Sequence, residues 1–413
     1  MRILLWHGYL LGGTGSNIYT RALAHAWSGM GHEVVVVCQE PHPERFDLGG
    51  ARVVRPRVGG VLPVFVLDRY EGLEARYLHE LDQTTYERYL EGNAAALREL
   101  LPADLVFANH VVPGSEVAAR VAAPFAVKAH GSELEYSLRG RPALLARARE
   151  ALERAQAVFV GSTHIRAVLE EVVGHVERVH EVPPGVDVDE FRPQPRGAAL
   201  SALVEEARRD PRNAGNADER CPDEGNAERL AGFFARDEPT VLYFGKLLYN
   251  KGVHLLFEAL RQVEARCVVA GFGDYRAELE AAAPPGTLFT GALEHRHLVH
   301  LIPLCDVTVV PSIFPEAFGM VAAEAAASGC PPLVARHSGL GEIAAGLEQA
   351  YGPARGPLAS FRTQDAGDLA AKLGALLALP AGERAELGAL ARRTAVERWG
   401  WESVSARLLE PFM

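Results

Sequence analysis

DVTVVPSIFPEAFGMVAAEAAAS, Asp306 to Ser328, changes texture twice within one short span. "DVTVVPS" is an apolar, β-branched run of the kind buried on both faces of a parallel sheet. "IFPEAF" carries a proline and a carboxylate and reads as a loop. "GMVAAEAAAS" reads as a helix, stopped by Gly329 and the prolines 331 and 332. Strand, loop and helix in that order form the repeating unit of an α/β fold. In such sheets ligands bind outside the carboxyl ends of the strands, where loops enter helices. The helix start offers backbone N–H groups and a partial positive charge that suit a phosphate, and Gly319 permits close approach. Two carboxylates flank that entry, Glu316 in the loop and Glu324 about two turns into the helix.

The same alternation extends in both directions. "RILLWH" reads as a strand, Asn17 to Ser28 as a helix and "EVVVVCQ" as the next strand. "ADLVFANH", "PFAVKAH" and "AVFVGS" carry the pattern to about residue 190. From Arg192 to Pro239 the chain turns rich in Pro, Asn, Gly and charge, and "RRDPRNAGNADERCPDEGNAER" has no apolar periodicity, so 191–239 is read as a polar insertion beside a domain junction. Alternation resumes with "TVLYFG", "RCVVAGFG", "TLFTG" and "PPLVA". The expected architecture is α/β, with two parallel-sheet domains over 1–190 and 240–395 that face one another across a cleft. A closing helix, 396–413, is expected to cross back to the first domain.

Composition narrows the function. The chain has 413 residues, 48% hydrophobic and 23% charged, as an ordinary globular protein does. A formal net charge of −11 argues against a nucleic-acid partner, which demands a dominant basic face. Five cysteines without a CxxC pair indicate neither a zinc ribbon nor a disulfide framework, so a reducing cytoplasm is expected. "MRILLWHG" turns polar and glycine-rich too early for a signal peptide, and no apolar run reaches the roughly 18 residues of a membrane span. There are four lysines, 128, 246, 251 and 372, against 38 arginines, and two of the four sit in "YFGKLLYNKG". A lysine where arginine is the default cation marks a place suited to a compact charge on a flexible stem.

Each motif admits a chemical and a structural reading. "VLYFGKLLYNKG" is a strand, then a loop with Lys246 and Lys251, then Gly252 opening a helix. Two ammonium groups there can neutralise a departing diphosphate, although the P-loop order of residues is absent. Strand-to-helix turns recur at Gly271 and Gly273 and at Gly291, where backbone could meet a base. Ionised carboxylates only accept hydrogen bonds, so a diol suits Glu324 and Glu316: the ribose for the first, a transferred sugar for the second. The alternatives are dipole complementation by Glu316 and a solvated Glu324. "LLGGTGSN" brings Gly12 and Gly13 near a phosphate or forms a flexible turn. Its dinucleotide reading, which would make the chain a nicotinamide oxidoreductase, lacks the third glycine, since Ile18 stands there. Asp187 and Asp189 resemble a metal-binding Asp-x-Asp, but "PPGVDVDEF" reads better as a hinge. His130 and Lys128 lie at the end of one strand and serve chemistry or structure. Tyr70, Tyr77, Tyr86 and Tyr89 line an acceptor groove or anchor a helix. The Arg-rich segment 139–154 is a candidate for weak membrane-surface contact.

Taken together, these motifs resemble the retaining glycosyltransferases of family four, whose architecture, two Rossmann-like domains, is called GT-B. The resemblance rests on Glu316 and Glu324 for a Glu, seven residues, Glu motif, and on Gly245, Lys246, Leu247, Lys251 and Gly252 for a Gly-Arg-Leu…Lys-Gly motif. "LGGTGSNIYTRALAHAWSGMGHEVVVVC", "KAHGSE", "PPGVDVDEF" and "RWGWESVSARLLE" extend it over nearly the whole chain. It implies metal-independent, retaining transfer of a hexosyl group from a nucleotide-sugar, expected to be a UDP-sugar, to a small-molecule, glycan or lipid acceptor, with no cofactor and no metal. His130, Lys246, Lys251 and Glu316 are the implied catalytic residues. Gly12, Gly13, Gly245, Gly273, Gly291, Leu293, Ala317, Phe318, Gly319, Met320 and Glu324 are the implied donor-binding residues. Lys246 stands where the family has arginine, Pro184 replaces a hinge asparagine, and the insertion is long. A phosphorylase-like or sugar-nucleotide-binding protein of the same fold is the alternative.

Overall fold

The computed structural model describes residues 1–12, 15–65, 70, 72–210 and 221–413. The chain divides into two compact units, Met1–Gly185 with Trp401–Met413, and Val186–Gly400.

The first unit is built on β1 (Arg2–Trp6), β2 (Glu33–Val37), β3 (Arg52–Val54), β4 (Val61–Val64), β5 (Glu74–Tyr77), β6 (Leu105–Asn109), β7 (Phe125–Lys128), β8 (Ala157–Val160) and β9 (Val179–Glu181). Seven of these form one sheet in the order β3-β2-β1-β6-β7-β8-β9, while β4 and β5 pair separately. The β1 register runs parallel to both neighbours, with Leu4 opposite Val35 and Val106. Alternate residues feed opposite layers: Leu4 and Trp6 pack with Tyr89 and Leu97, whereas Ile3 and Leu5 pack with Trp27 and Phe107. That is why "RILLW" is almost continuously apolar. The closing helix is shorter than expected, Trp401–Leu409, and lies on the helix Gly15–Gly29, where Trp27 Nε1 donates to the Ser405 carbonyl at 3.0 Å.

The second unit carries β10 (Thr240–Phe244), β11 (Arg266–Ala270), β12 (Thr287–Gly291), β13 (Val307–Val310), β14 (Pro332–Ala335) and β15 (Ser360–Phe361), in the order β12-β11-β10-β13-β14-β15. The segment 191–239, read from the sequence as a polar insertion without apolar periodicity, contains regular structure among its described residues. It holds the helices Arg196–Arg208 and Asn226–Phe234, whose Ala199, Leu203, Leu230 and Phe234 belong to the core of this unit. Sparse apolar residues among charges hid that periodicity. Among the described residues no helix is long and apolar enough to cross a membrane.

Strand order reverses once in each large sheet, beside β1 and β6 in the first unit and beside β10 and β13 in the second. At such a point successive crossovers leave in opposite directions and open a crevice at the carboxyl ends of the two strands.

Candidate functional site

In the second unit that crevice is walled by the loops after β10 and β13. Gly245 follows β10, and the buried Tyr243 donates its hydroxyl to the Lys246 carbonyl at 2.7 Å, leaving the Lys246 side chain exposed. The chain then turns through Tyr249–Lys251 into the helix Val253–Leu260, capped by Gly252 at φ 72°. A Cβ at Gly252 would collide with the Pro311 carbonyl, so only glycine lets this helix sit against the end of β13. The Asn250 carbonyl accepts from the N–H of Ile313 at 2.9 Å and of Phe314 at 3.2 Å, stitching the two loops together.

Lys251 and Glu316 meet across this seam, with Nζ 2.5 Å from Oε1. Glu316 is held through its backbone from a third loop. Its N–H donates to Ser338 Oγ at 2.8 Å, and its carbonyl accepts from the Gly339 N–H at 3.0 Å. His337 Nε2 bonds the Ser312 carbonyl at 2.7 Å, and Ser338 adopts φ 46°, a strained value for a non-glycine residue. Sequence reasoning missed this 337–339 turn, whose available signal was the glycine pair 339 and 341 a few residues after β14, in the first turn of the next helix. It also passed over Tyr249 and Phe314, large aromatic side chains that stand exposed beside Lys251 and Glu316.

Ala317 is exposed, and Phe318 is buried with its ring 6.0 Å from that of Trp399, so Phe318 can serve a ligand only through its backbone. Gly319, at φ 115°, caps the helix Met320–Ala327, and a side chain there would meet Leu340 at 2.6 Å. Met320 is half-buried. Glu324 lies buried in that helix with His295 Nε2 3.8 Å away, and burial raises its pKa to about 8. A neutral acid therefore stands where the sequence suggested an ionised one. Gly273 packs on the Leu247 backbone, Gly291 closes β12, and the half-buried Leu293 follows it against the core.

The first unit carries a different constellation. Glu133, wholly buried, accepts from the N–H of His130 at 2.9 Å and of Val111 at 3.2 Å, and from His110 Nδ1 at 3.4 Å. Burial opposes its charge, but His110 and the backbone donors outweigh burial and hold its carboxyl below the usual range. His130 Nε2 pairs with Asn109 Oδ1 at 2.7 Å. Burial, aided by His110 and Lys128, pushes the His130 pKa well down, so its ring is neutral at neutral pH. His7, likewise depressed to about 3 by burial and then by His110, bonds Asn17 Oδ1 at 2.7 Å. Asn17 in turn donates to the Gly12 carbonyl. Gly13 lies outside the described residues. His110 sits at φ 68° with Nε2 unpartnered, and Tyr9 Oη is unpartnered beside it. Sequence reasoning did not single out His110, and a positive φ leaves no signature in a histidine.

Several other candidates have partners within the fold. Lys128 donates to the Val182 carbonyl at 2.7 Å, and burial, then Arg407, lowers its pKa to about 7. Tyr86 and Tyr89 are buried on the helix Gln83–Glu99, Tyr86 donating to Glu116 at 2.5 Å, so they anchor that helix. Tyr70 and Tyr77 are half-buried, and part of the segment between them, 71 with 66–69 before it, lies outside the described residues. In 139–154, Arg139 pairs with Glu135 and Glu171 and Arg147 with Glu87 and Glu116, which offsets much of the charge a membrane would meet. Asp187 Oδ1 accepts from the N–H of Asp189 and Glu190, so it caps its own turn.

Comparison with known proteins gives the family. The description "Glycosyl transferase 4-like domain" matches residues 14–185 and "Glycosyl transferases group 1" matches 227–394. A D-inositol 3-phosphate glycosyltransferase of Xylanimonas cellulosilytica is 33% identical over 252 residues, 57% of this chain and 51% of that protein. A glycogen synthase of Mycobacterium tuberculosis is 31% identical over 183 residues, 42% of each chain. The chain thus spans about half the length of the curated relatives it matches. Among solved structures, sucrose-phosphate synthase of Thermosynechococcus elongatus shares the fold at TM-score 0.68 and 22% identity, over 98% of this chain and 97% of that one. Anabaena HepE in complex with UDP does so at TM-score 0.69 and 18% identity, over 99% of both. The chain belongs to the glycosyltransferases of the group 1, family-four-like type, with the GT-B fold.

Proposed function

We propose that this protein is a retaining, metal-independent hexosyltransferase that uses a nucleotide-sugar, specifically a UDP-sugar. The observation that carries the reading is the convergence, at the strand-order reversal of the second unit, of Lys251, Glu316 and the capped start of the helix Met320–Ala327. Lys246, Lys251 and the N–H groups of that helix receive the diphosphate and stabilise it as charge develops on the leaving oxygen, the largest electrostatic task in the reaction. Once Lys251 turns to the diphosphate, Glu316 is released to accept from hydroxyls of the transferred sugar. Glu324 takes the ribose diol, and His130 hydrogen-bonds the sugar. The bond from the anomeric carbon to the diphosphate oxygen breaks and a bond to the acceptor oxygen forms on the same face. The acceptor's proton passes to the leaving diphosphate. Two structures of a fold relative support the donor class, since one Anabaena HepE structure contains UDP and another UDP-glucose. Five free cysteines fit a reducing cytoplasm.

The test is release of nucleoside diphosphate from a panel of UDP-, GDP- and ADP-hexoses, with and without candidate polyol, glycan and lipid acceptors. Release from UDP-hexoses, with the anomeric configuration of the donor kept in the product, is the expected result. Release only from other donors would overturn the donor assignment, and inversion would overturn the stereochemistry.

A further inference from the structure

The stretch between the two family matches, residues 186–226, belongs to neither, yet part of it is fastened to the carboxyl end of β12 in the second sheet. Pro222 forms an antiparallel bridge with Gly291, the last residue of β12. Asp223 N–H donates to the Thr290 carbonyl at 2.8 Å, and Ala292 N–H donates to the Cys221 carbonyl at 3.1 Å. β12 is an edge strand, and Cys221–Asp223 covers its edge where the chain leaves the sheet. The cover fits because residue 291 has no side chain: a Cβ there would stand 2.6 Å from both Asp223 Oδ1 and the Cys221 carbonyl oxygen.

The strap is latched to the neighbouring strand as well. Arg276, the first residue of the helix that follows β11, grips the Asp223 carboxylate with two nitrogens, at 2.8 and 2.7 Å. Such a forked pair defines direction as well as distance. A second arginine, Arg229, bonds the Phe289 carbonyl at 2.6 Å and reaches Asp223 at 3.5 Å, while Asn226 Nδ2 donates to the Thr290 carbonyl at 2.8 Å. The turn after β11 and the turn after β12 are thereby tied to one short segment.

We propose that Cys221–Asp223, held by the Asp223–Arg276 latch, is the outer wall of the base subsite and makes it select a pyrimidine nucleotide. The inference rests on the nucleotide-sugar reading above. Placed beside Gly291, the strap occupies the space into which a bicyclic base would extend past β12, and its Cys221 carbonyl engages the Ala292 N–H that a purine edge would otherwise reach. Asp223 and Arg276 are positioning residues: they hold the wall, and they leave the diphosphate contacts at Lys251 untouched. A latch with a purely structural role would instead weaken the fold and all nucleotides in parallel.

Calorimetric titration of the full chain with UDP, GDP and ADP, beside melting curves, separates these outcomes. Wild type is expected to bind UDP about tenfold or more tightly than GDP or ADP, and Asp223→Ala to shrink that ratio at least about threefold by improving purine binding. Arg276→Gln opens the latch from the other side and should move the ratio the same way, which covers failure of the first variant to fold. A folded variant with an unchanged ratio, a parallel loss for all three ligands, or a wild type that prefers a purine overturns the inference. No binding of any of the three by wild type overturns the nucleotide-sugar reading itself.

Discussion

The two strand-order reversals have the same topology and opposite chemistry. Beside β10 and β13 the crevice holds an exposed Lys246, a Lys251–Glu316 pair on half-exposed loops and a helix start, all of which can turn toward an incoming polyanion. Beside β1 and β6 it holds His7, His110, Glu133 and Asn109, buried and interlocked, with His130 at their edge. Charge that must be exchanged when a ligand arrives is kept near solvent, where rearrangement is cheap. Groups that must define direction are kept inside, where low dielectric makes each hydrogen bond count. A parallel sheet thus supplies a place for a site without dictating its electrostatics.

Mutations test that contrast. Lys251→Ala removes the cation from the exchangeable site and should lower kcat on the order of 10²-fold, read as nucleoside diphosphate release. A variant within about twofold of wild type would return Lys251 to the surface and erase the distinction. His130→Ala, in the interlocked site, should cut transfer about tenfold or more while the affinity for free UDP, which lacks the sugar, changes by less than about 1 kcal/mol. Lower melting temperature with parallel losses in transfer and UDP binding would make His130 structural.

Glu324 is expected to give a smaller effect with a distinctive pH signature. Its raised pKa means that the folded state holds a proton that the unfolded state has lost, from pH 4.5, the ordinary value, to about 8. Stability should therefore fall as pH rises through that window, and Glu324→Gln should flatten the fall in denaturant titrations. Because a ribose diol needs an acceptor, UDP binding should release a proton below about pH 8 and tighten as pH rises toward it. The glutamine variant should lose this dependence and raise donor KM about five- to tenfold with kcat nearly unchanged. An unchanged KM would remove the ribose role. The smallest expected effect is that of a chelator, since lysines and backbone N–H groups serve the diphosphate in the proposed mechanism. Loss of turnover in EDTA, restored by Mg²⁺ or Mn²⁺ at saturating donor, would overturn that part of it.

Local patterns were legible in the sequence, and distant partnerships were not. "DVTVVPS" and "VLYFGKLLYNKG" announce strand ends because composition and turn chemistry are local, and they placed Lys251 and Glu316 beside a helix start. Nothing in either motif says that the two side chains meet, or that Ser338, on another loop, holds the Glu316 backbone. The strands β3 and β15, three and two residues long, are too short to show a period. Cys221–Asp223 was hidden for a related reason: its attachment runs through backbone groups and one ion pair, and a Pro-, Asn- and charge-rich composition is what unstructured chain also shows. Glu324 illustrates a further limit, since the protonation of a carboxyl depends on what covers it, and its sequence neighbours are mostly alanine.

The contact between Gly252 and the Pro311 carbonyl bears on how this protein could be re-engineered. A transplanted loop from a relative would have to reproduce a helix-to-strand spacing set by one missing methyl group, together with the Asn250 carbonyl that receives two N–H donors from the opposite loop. The two loops are in effect one part and should be exchanged together. Exposed side chains such as Lys246 can be changed without disturbing the backbone that carries them.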